Sequence, residues 1–354
     1  MLNQAQKVRQ EDKLNTKNLA AYLAENLDGF TKNTELSIKQ YAGGASNLTY
    51  LLEWHDKGII LRTAPIGVNI KSAHDMSREY NVLQKLNSHF KYAPNALHLC
   101  EDDSIIGRPF YLMQKVDGII LRRDFQQSYS KQQASQLCKN LIDVHVALHK
   151  VDIKQTGLMD LGHPQGYIAR QVKGWQQRYI NAMLKDSLNV EDLMHWLREK
   201  QPADSEVASC LIHNDYKLDN VVLSTQNQTK IVAVLDWEMA TIGSPLMDLG
   251  CSLAYWIEAS DSKQMQSIRM LPTNQKGMWS RQQIIEYYAQ TSHIEIKDFN
   301  FYYIFGLFRL AVIVQQIYKR YAQGKTNNPK FQHFGEIAKI LLNQAKKRNL
   351  SSVD

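Results

Sequence analysis

Hydrophobic and polar positions alternate through the first third of the chain and then change to a helical period. Leu14, Leu19, Tyr22, Leu23 and Leu27 recur at helical spacing and predict a short leading helix over 13–29. From residue 36 the pattern is that of strands: 36–41, 47–54 and 58–62, with Gly43-Gly44 turning the chain once and His55-Asp56-Lys57-Gly58 turning it again. Strands joined this closely form an antiparallel meander. Ala73, Met76, Tyr80, Leu83 and Leu86 then predict a helix over 73–88, and two more strands are expected at 96–101 and 108–116 around an Asp102-Asp103 turn. Asp117-Gly118 breaks the pattern.

Beyond that break, Leu137, Leu141, Val144 and Leu148 share one face of a helix over 132–150. Helices are also expected over 167–184 and 190–199, and from Asp248 to the end. The exception is a pair of short strands within 221–235. A small sheet followed by a large helical region is an α+β, two-lobed plan.

Composition narrows the function classes. Hydrophobic residues make up 44% of the 354, enough for a large core and too many for a disordered chain. Cys100, Cys138, Cys210 and Cys251 are mutually isolated, so neither a zinc knuckle nor a dithiol motif is spelled out, and a reducing, cytoplasmic setting is expected. The chain opens on polar residues rather than a signal-like apolar run. The most apolar window, 301–317, is shorter than a membrane span and carries Arg309, so it is expected to be a core helix with that arginine paired or at the helix edge. The formal charge of +7 comes without a basic stripe interleaved with aromatics, which argues against nucleic acid and mildly against a polycationic substrate.

The chemistry concentrates in His213-Asn214-Asp215-Tyr216-Lys217-Leu218-Asp219-Asn220 and Leu235-Asp236-Trp237-Glu238. Between them an apolar hairpin is predicted, and a hairpin brings its open ends together. Asn220 stands at one end and Asp236 at the other; an amide oxygen and a carboxylate suit a hard ion such as Mg²⁺. Asp215, on the approaching loop, is free to accept a proton from an attacking hydroxyl, and Lys217 can point a fixed charge at a phosphate. These are the parts that phosphoryl transfer requires. The plainer readings make Lys217 a surface lysine, Asp219 a solvated or capping carboxylate, His213 a loop brace, and His145 with His149 a packing pair on a helix.

The order His-x-Asp-x-x-x-x-Asn followed by Asp-Trp-Glu resembles the aminoglycoside phosphotransferase and choline kinase superfamily, whose fold is protein-kinase-like. It looks closest to the subfamily whose members occur alone or fused to acyl-CoA dehydrogenases. Besides that signature, the Gly43-Gly44-Ala45-Ser46-Asn47 turn, Arg78-Glu79-Tyr80, Trp175 with Arg178-Tyr179, and 243–249 carry the resemblance, over nearly the whole chain.

The resemblance implies ATP or GTP with Mg²⁺, a nucleotide-binding lobe over 1–113, a hinge at 114–118 and a catalytic, acceptor-binding lobe over 119–354. It implies that Asp215 is the base and that Asn220 and Asp236 hold the metal. Gly43, Gly44, Ala45, Ser46 and Asn47 would cover the phosphates, and Met113, Gln114 and Val116 would bracket the adenine. Asp248 would brace the catalytic loop. The expected third-strand lysine is replaced by Arg62, which would pair with Glu79 and reach the α/β-phosphates; arginine is a bidentate fork and no neutral swap.

The expected acceptor is a small molecule with a hydroxyl group, not a nucleic acid or a membrane. Arg170, Gly174 and Arg178, on one helical face with Lys173 nearby, suggest an anionic acceptor such as a hydroxy acid or hydroxyacyl-CoA. The alternatives are an amine-alcohol kinase of the aminoglycoside or choline type, for which Glu258 and Asp261 are the nearby carboxylates, and a nucleotide-binding module of weak activity.

Overall fold

The computed structural model describes residues 5–41, 47–65, 76–125, 127–203, 209–326 and 328–350. It divides into two compact units, Met1–Ile120 with Val222–Ala240, and Leu121–Val221 with Thr241–Asp354.

The first unit is built on a six-stranded antiparallel sheet. Its strands are β1 (Gln6–Lys7), β2 (Ser37–Gln40), β3 (Leu48–Trp54), β4 (Lys57–Thr63), β5 (Ala96–Cys100) and β6 (Phe110–Gln114), in the order β1-β2-β3-β4-β6-β5. The central strands β3 and β4 are buried along most of their length, and Tyr50, Leu52 and Leu61 meet Phe110 and Leu112 in a core closed by Leu19 and Leu23 of helix α1 (Thr16–Asn26). Helix α2 (Met76–Leu86) buries Met76, Glu79, Val82, Leu83 and Leu86. The expected turn at Asp102-Asp103 is a short helix, α3 (Asp103–Ile106), because the Asp102 carboxylate caps it by accepting from Ser104 N.

The second unit begins with α4 (Lys131–His149), opened by a reciprocal Ser130–Gln133 capping box, then α5 (Tyr167–Ala182) and α6 (Glu191–Glu199). Strand β7 (Cys210–Ile212) leads into the His213–Asn220 segment. The predicted hairpin then forms from β8 (Val221–Leu223) and β9 (Ile231–Val234). Residues 222–234 of this hairpin belong to the first unit, where Leu223 bridges Ile119 and Val234 N donates to Tyr92 O at 2.7 Å. Gly118 is needed for this, since a Cβ there would lie 2.4 Å from Leu223 O.

Strand β10 (Thr241–Gly243) pairs antiparallel with β7, and α7 (Pro245–Ala254), α8 (Lys263–Ser267), α9 (Arg281–Ser292), α10 (Asn300–Ala322) and α11 (Phe334–Leu350) follow. Helix α10 is long and apolar enough to cross a membrane, but two thirds of its apolar window (67%) is buried within the protein. It crosses α7 backbone to backbone, where a Cβ on Gly306 would stand 2.2 Å from Gly250 O.

Candidate active site

The second unit holds the loop 213–220, which the sequence led us to expect as the catalytic one. Ser244 caps α7 and Pro245 occupies its first turn, which places Asp248 near the helix N-terminus, where a carboxylate is favoured. Asp248 is fully buried. Its Oδ2 accepts from His213 N at 2.9 Å, His145 Nε2 at 3.0 Å and His149 Nε2 at 3.1 Å; its Oδ1 accepts from Asn214 N at 2.6 Å. Burial works against the charge, but the two histidine hydrogen bonds outweigh it and hold the carboxyl well below its ordinary range. This loop therefore starts from a fixed point, and Asn214 can take its left-handed turn (φ 65°) because asparagine tolerates that region.

The histidines are more than packing partners, contrary to the sequence reading. Both bring Nε2 to one carboxylate, which accepts from each ring. His149 Nδ1 accepts from Tyr288 Oη at 2.7 Å, while His145 Nδ1 is buried without a hydrogen-bond partner. His145 stacks on Tyr216, whose hydroxyl donates to Leu141 O at 2.7 Å. The acid that completes this cluster lies 99 residues beyond His149 in sequence, which is why local spacing did not expose it.

Burial, with His149 adding to it, pushes His145 down from 6.5 to about 4. An unfolded chain protonates this histidine as pH falls through 6.5, whereas the folded one resists until about 4, so stability is full above that window and falls within it. The loss is on the order of 3 kcal/mol. Urea unfolding at pH 7 and pH 4.5 is expected to show this loss in the wild type and a clearly smaller one in His145→Gln.

Asp215 follows directly. Its Oδ2 receives Lys217 Nζ and, at 2.8 Å, Asn220 Nδ2, which also donates to Asp215 O at 2.8 Å. Oδ1 takes no hydrogen bond among the described residues. Lys217 is no surface lysine. Burial works to lower its pKa, but Asp215 and Asp219 more than offset this and hold the ammonium well above its ordinary range. Asp219, expected to be a solvated or capping carboxylate, is half-buried between Lys217 at 3.5 Å and Arg122 at 3.4 Å.

The first unit carries a separate cluster of charge. Arg62, buried on β4, pairs through Nε with Glu79 at 3.2 Å and through Nη2 with Asp236 at 2.9 Å and, more distantly, with Glu238 at 3.7 Å. Trp237 N donates to Glu79 Oε1 at 3.1 Å, and Asn47 Nδ2 donates to Glu238 Oε2 at 2.7 Å. Burial lowers and these carboxylates raise the Arg62 pKa; the net shift is well upward, so the cation is permanent. Asp236 sits in the left-handed region at φ 68°, immediately before Trp237. Glu238 was not singled out in the sequence beyond its place in the Asp-Trp-Glu run; its tie to Asn47 was the missing observation.

Of the remaining expected residues, Met113 is buried on β6. Gln114 ends that strand, its N–H donating to Asn95 O at 2.8 Å, and Val116 follows half-buried. Gly43, Gly44, Ala45 and Ser46 lie outside the described residues.

Residues 37–270 match the family model described as the phosphotransferase enzyme family. The chain belongs to that family. This phosphotransferase is 32% identical over 352 residues to human acyl-CoA dehydrogenase family member 11, a match covering 97% of this chain and 44% of the relative. It therefore spans less than half the length of that relative. A solved structure from Ralstonia eutropha, assigned to the aminoglycoside phosphotransferases, superposes with a TM-score of 0.77 at 29% identity, covering 95% of this chain and 99% of the other. Choline kinase from Cryptosporidium parvum superposes with a TM-score of 0.64, covering 96% of this chain and 97% of the other; at 14% identity that likeness shows the kinase-like fold alone.

Proposed function

We propose that this phosphotransferase moves the γ-phosphate of ATP onto a hydroxyl of a small anionic metabolite, a hydroxy acid or a hydroxyacyl-CoA. The observation that carries the reading is Asp215: a carboxylate with one open oxygen, on a loop pinned through two backbone amides to buried Asp248. In this reading Asp215 Oδ1 accepts the proton of the attacking hydroxyl. Lys217 holds Oδ2 and presents positive charge to the transferring group. Arg62, fixed by Glu79, faces the nucleotide phosphates, with Met113, Gln114 and Val116 beside the base.

Asn220 and Asp236 are the proposed metal ligands. The donor set fits a hard ion: Asn220 spends its Nδ2 on Asp215, which leaves Oδ1 without a hydrogen bond among the described residues, and Asp236 contributes a carboxylate. A bound Mg²⁺ would neutralise charge on the phosphate oxygens.

Acceptor charge is read from what the candidate carboxylates already hold. Arg281 takes both oxygens of Asp261, at 2.6 and 2.7 Å, and pairs with Glu258 at 3.3 Å. Neither is left to receive an amine, so the aminoglycoside or choline type of acceptor loses the residues it needed. On α5, Arg178 lies over the Trp175 ring at 4.6 Å, and Arg170 donates to the carbonyls of His163 and Gln165. ATP consumption measured against anionic and cationic alcohols is expected to rise with hydroxy acids or their thioesters and to stay at background with choline and aminoglycosides; the opposite order refutes an anionic acceptor.

A further inference from the structure

Five arginines of the described chain are buried, and four have oxygen partners. Arg62 pairs with Glu79 and Asp236, Arg269 with Asp124, and Arg281 with Asp261 and Glu258; Arg108 donates to the hydroxyls of Thr63 and Tyr50. The fifth is Arg309, in the middle of α10 and only 5% exposed. The sequence reading expected it to be satisfied by a partner or at the helix edge; its partners are the Trp175 ring and Cys251 Sγ rather than a carboxylate. Among the described residues no carboxylate stands at ion-pair distance, and its one hydrogen-bonding neighbour is the weak acceptor Cys251 Sγ.

The fold holds the guanidinium there deliberately. The close Gly250–Gly306 crossing brings α10 against α7, and Arg309 lies three residues beyond Gly306. Its guanidinium stacks over the Trp175 ring at 5.1 Å, and its electrostatic neighbours include Tyr255, Tyr167 and Asp215. Trp175 thus carries two cations, the exposed Arg178 and the buried Arg309. A guanidinium offers five donors, and no carboxylate among the described residues takes them up as an ion pair. Lys217, the other cation beside Asp215, is already committed to Asp215 and Asp219.

We propose that Arg309 determines acceptor specificity by binding an acyl oxygen, a carboxylate or a thioester carbonyl, carried a few bonds from the hydroxyl that attacks the phosphate. This rests on the reading of Asp215 as the base and adds the residue that selects what reaches it. The guanidinium lies over the Trp175 ring, and its planar fork suits a planar oxygen group.

The test is equilibrium binding by calorimetry to protein loaded with Mg²⁺ and a non-hydrolysable ATP analogue. The probes are 3- and 4-hydroxybutyrate, their coenzyme A thioesters and the matching butanediols. The wild type is expected to prefer an acyl compound over its diol, and the stronger of acid and thioester identifies the source of the oxygen. Arg309→Met is expected to remove that preference, a loss of about 10–100-fold. Arg309→Lys keeps the charge, loses the fork and retains part of the preference, and it supplies the answer if the methionine variant does not fold. In turnover, either substitution should raise the acceptor KM and leave the ATP KM within about twofold. A wild type that binds diol and acyl compounds alike, or variants that keep the wild-type preference, overturns the proposal. Selective binding without phosphate transfer would sustain Arg309 and refute the kinase reading; equal transfer to diols and acids would do the reverse.

Discussion

Asp215→Asn is expected to lower phosphate transfer by about 10²–10⁴-fold while leaving nucleotide binding within about twofold. The substitution keeps the size of the side chain and the contacts of Lys217 and Asn220, since both donate to an oxygen that asparagine can still supply. It removes the one property that the open Oδ1 contributes, the capacity to take a proton. Folding should be nearly unaffected, because the carboxylate side chain is 22% exposed and belongs to no core. Transfer rates and calorimetric ATP binding, measured on the same preparation, separate these effects. A variant with wild-type turnover would remove Asp215 from the mechanism.

Asp248→Ala is expected to act in the opposite proportion, costing about 3–5 kcal/mol of stability and taking activity with it. It leaves the His213 and Asn214 amides and the Nε2–H groups of His145 and His149 buried without their acceptor. Buried donors stripped of a partner carry their full desolvation cost. Urea midpoints give the stability. An Asp248→Ala protein as stable as the wild type would show that the loop is anchored elsewhere. The two variants together distinguish a group that does chemistry from one that positions it.

The fold was largely legible because its cues are local. Alternation over β3 and β4, a turn at His55–Gly58 and the 3.6-residue period of α4 each lie within a single element, so sequence reading needs no tertiary knowledge. The same holds for the hairpin that separates Asn220 from Asp236. What escaped was set by distant partners. Asp219 looks solvated until Arg122 is placed beside it, and the His145–His149 pair looks like packing until Asp248 arrives from a helix 99 residues on. Glu258 and Asp261 look available for an amine until Arg281 takes them. Arg309 is the clearest case: composition marks it as an oddity in an apolar helix, but only the packed structure shows that no carboxylate of the described chain meets it.

Arg62 illustrates how a departure from a family pattern can be built into its surroundings. A lysine at that position would offer a compact point charge, whereas the guanidinium reaches Glu79 through Nε and Asp236 through Nη2 from separate donors of one planar fork. The substitution is therefore accommodated by the carboxylates on both sides rather than tolerated as a defect.

That phosphate leaves ATP and arrives on an acceptor hydroxyl is the expected reaction. It is tested most directly by incubating the protein with Mg²⁺, γ-¹⁸O-labelled ATP and the hydroxy acids and thioesters above, and following the label by mass spectrometry and ³¹P resonance. The account predicts a labelled phosphate ester on the acceptor, formed by the wild type and nearly absent with Asp215→Asn. Label recovered only as inorganic phosphate, or an ester formed equally by both proteins, would contradict it.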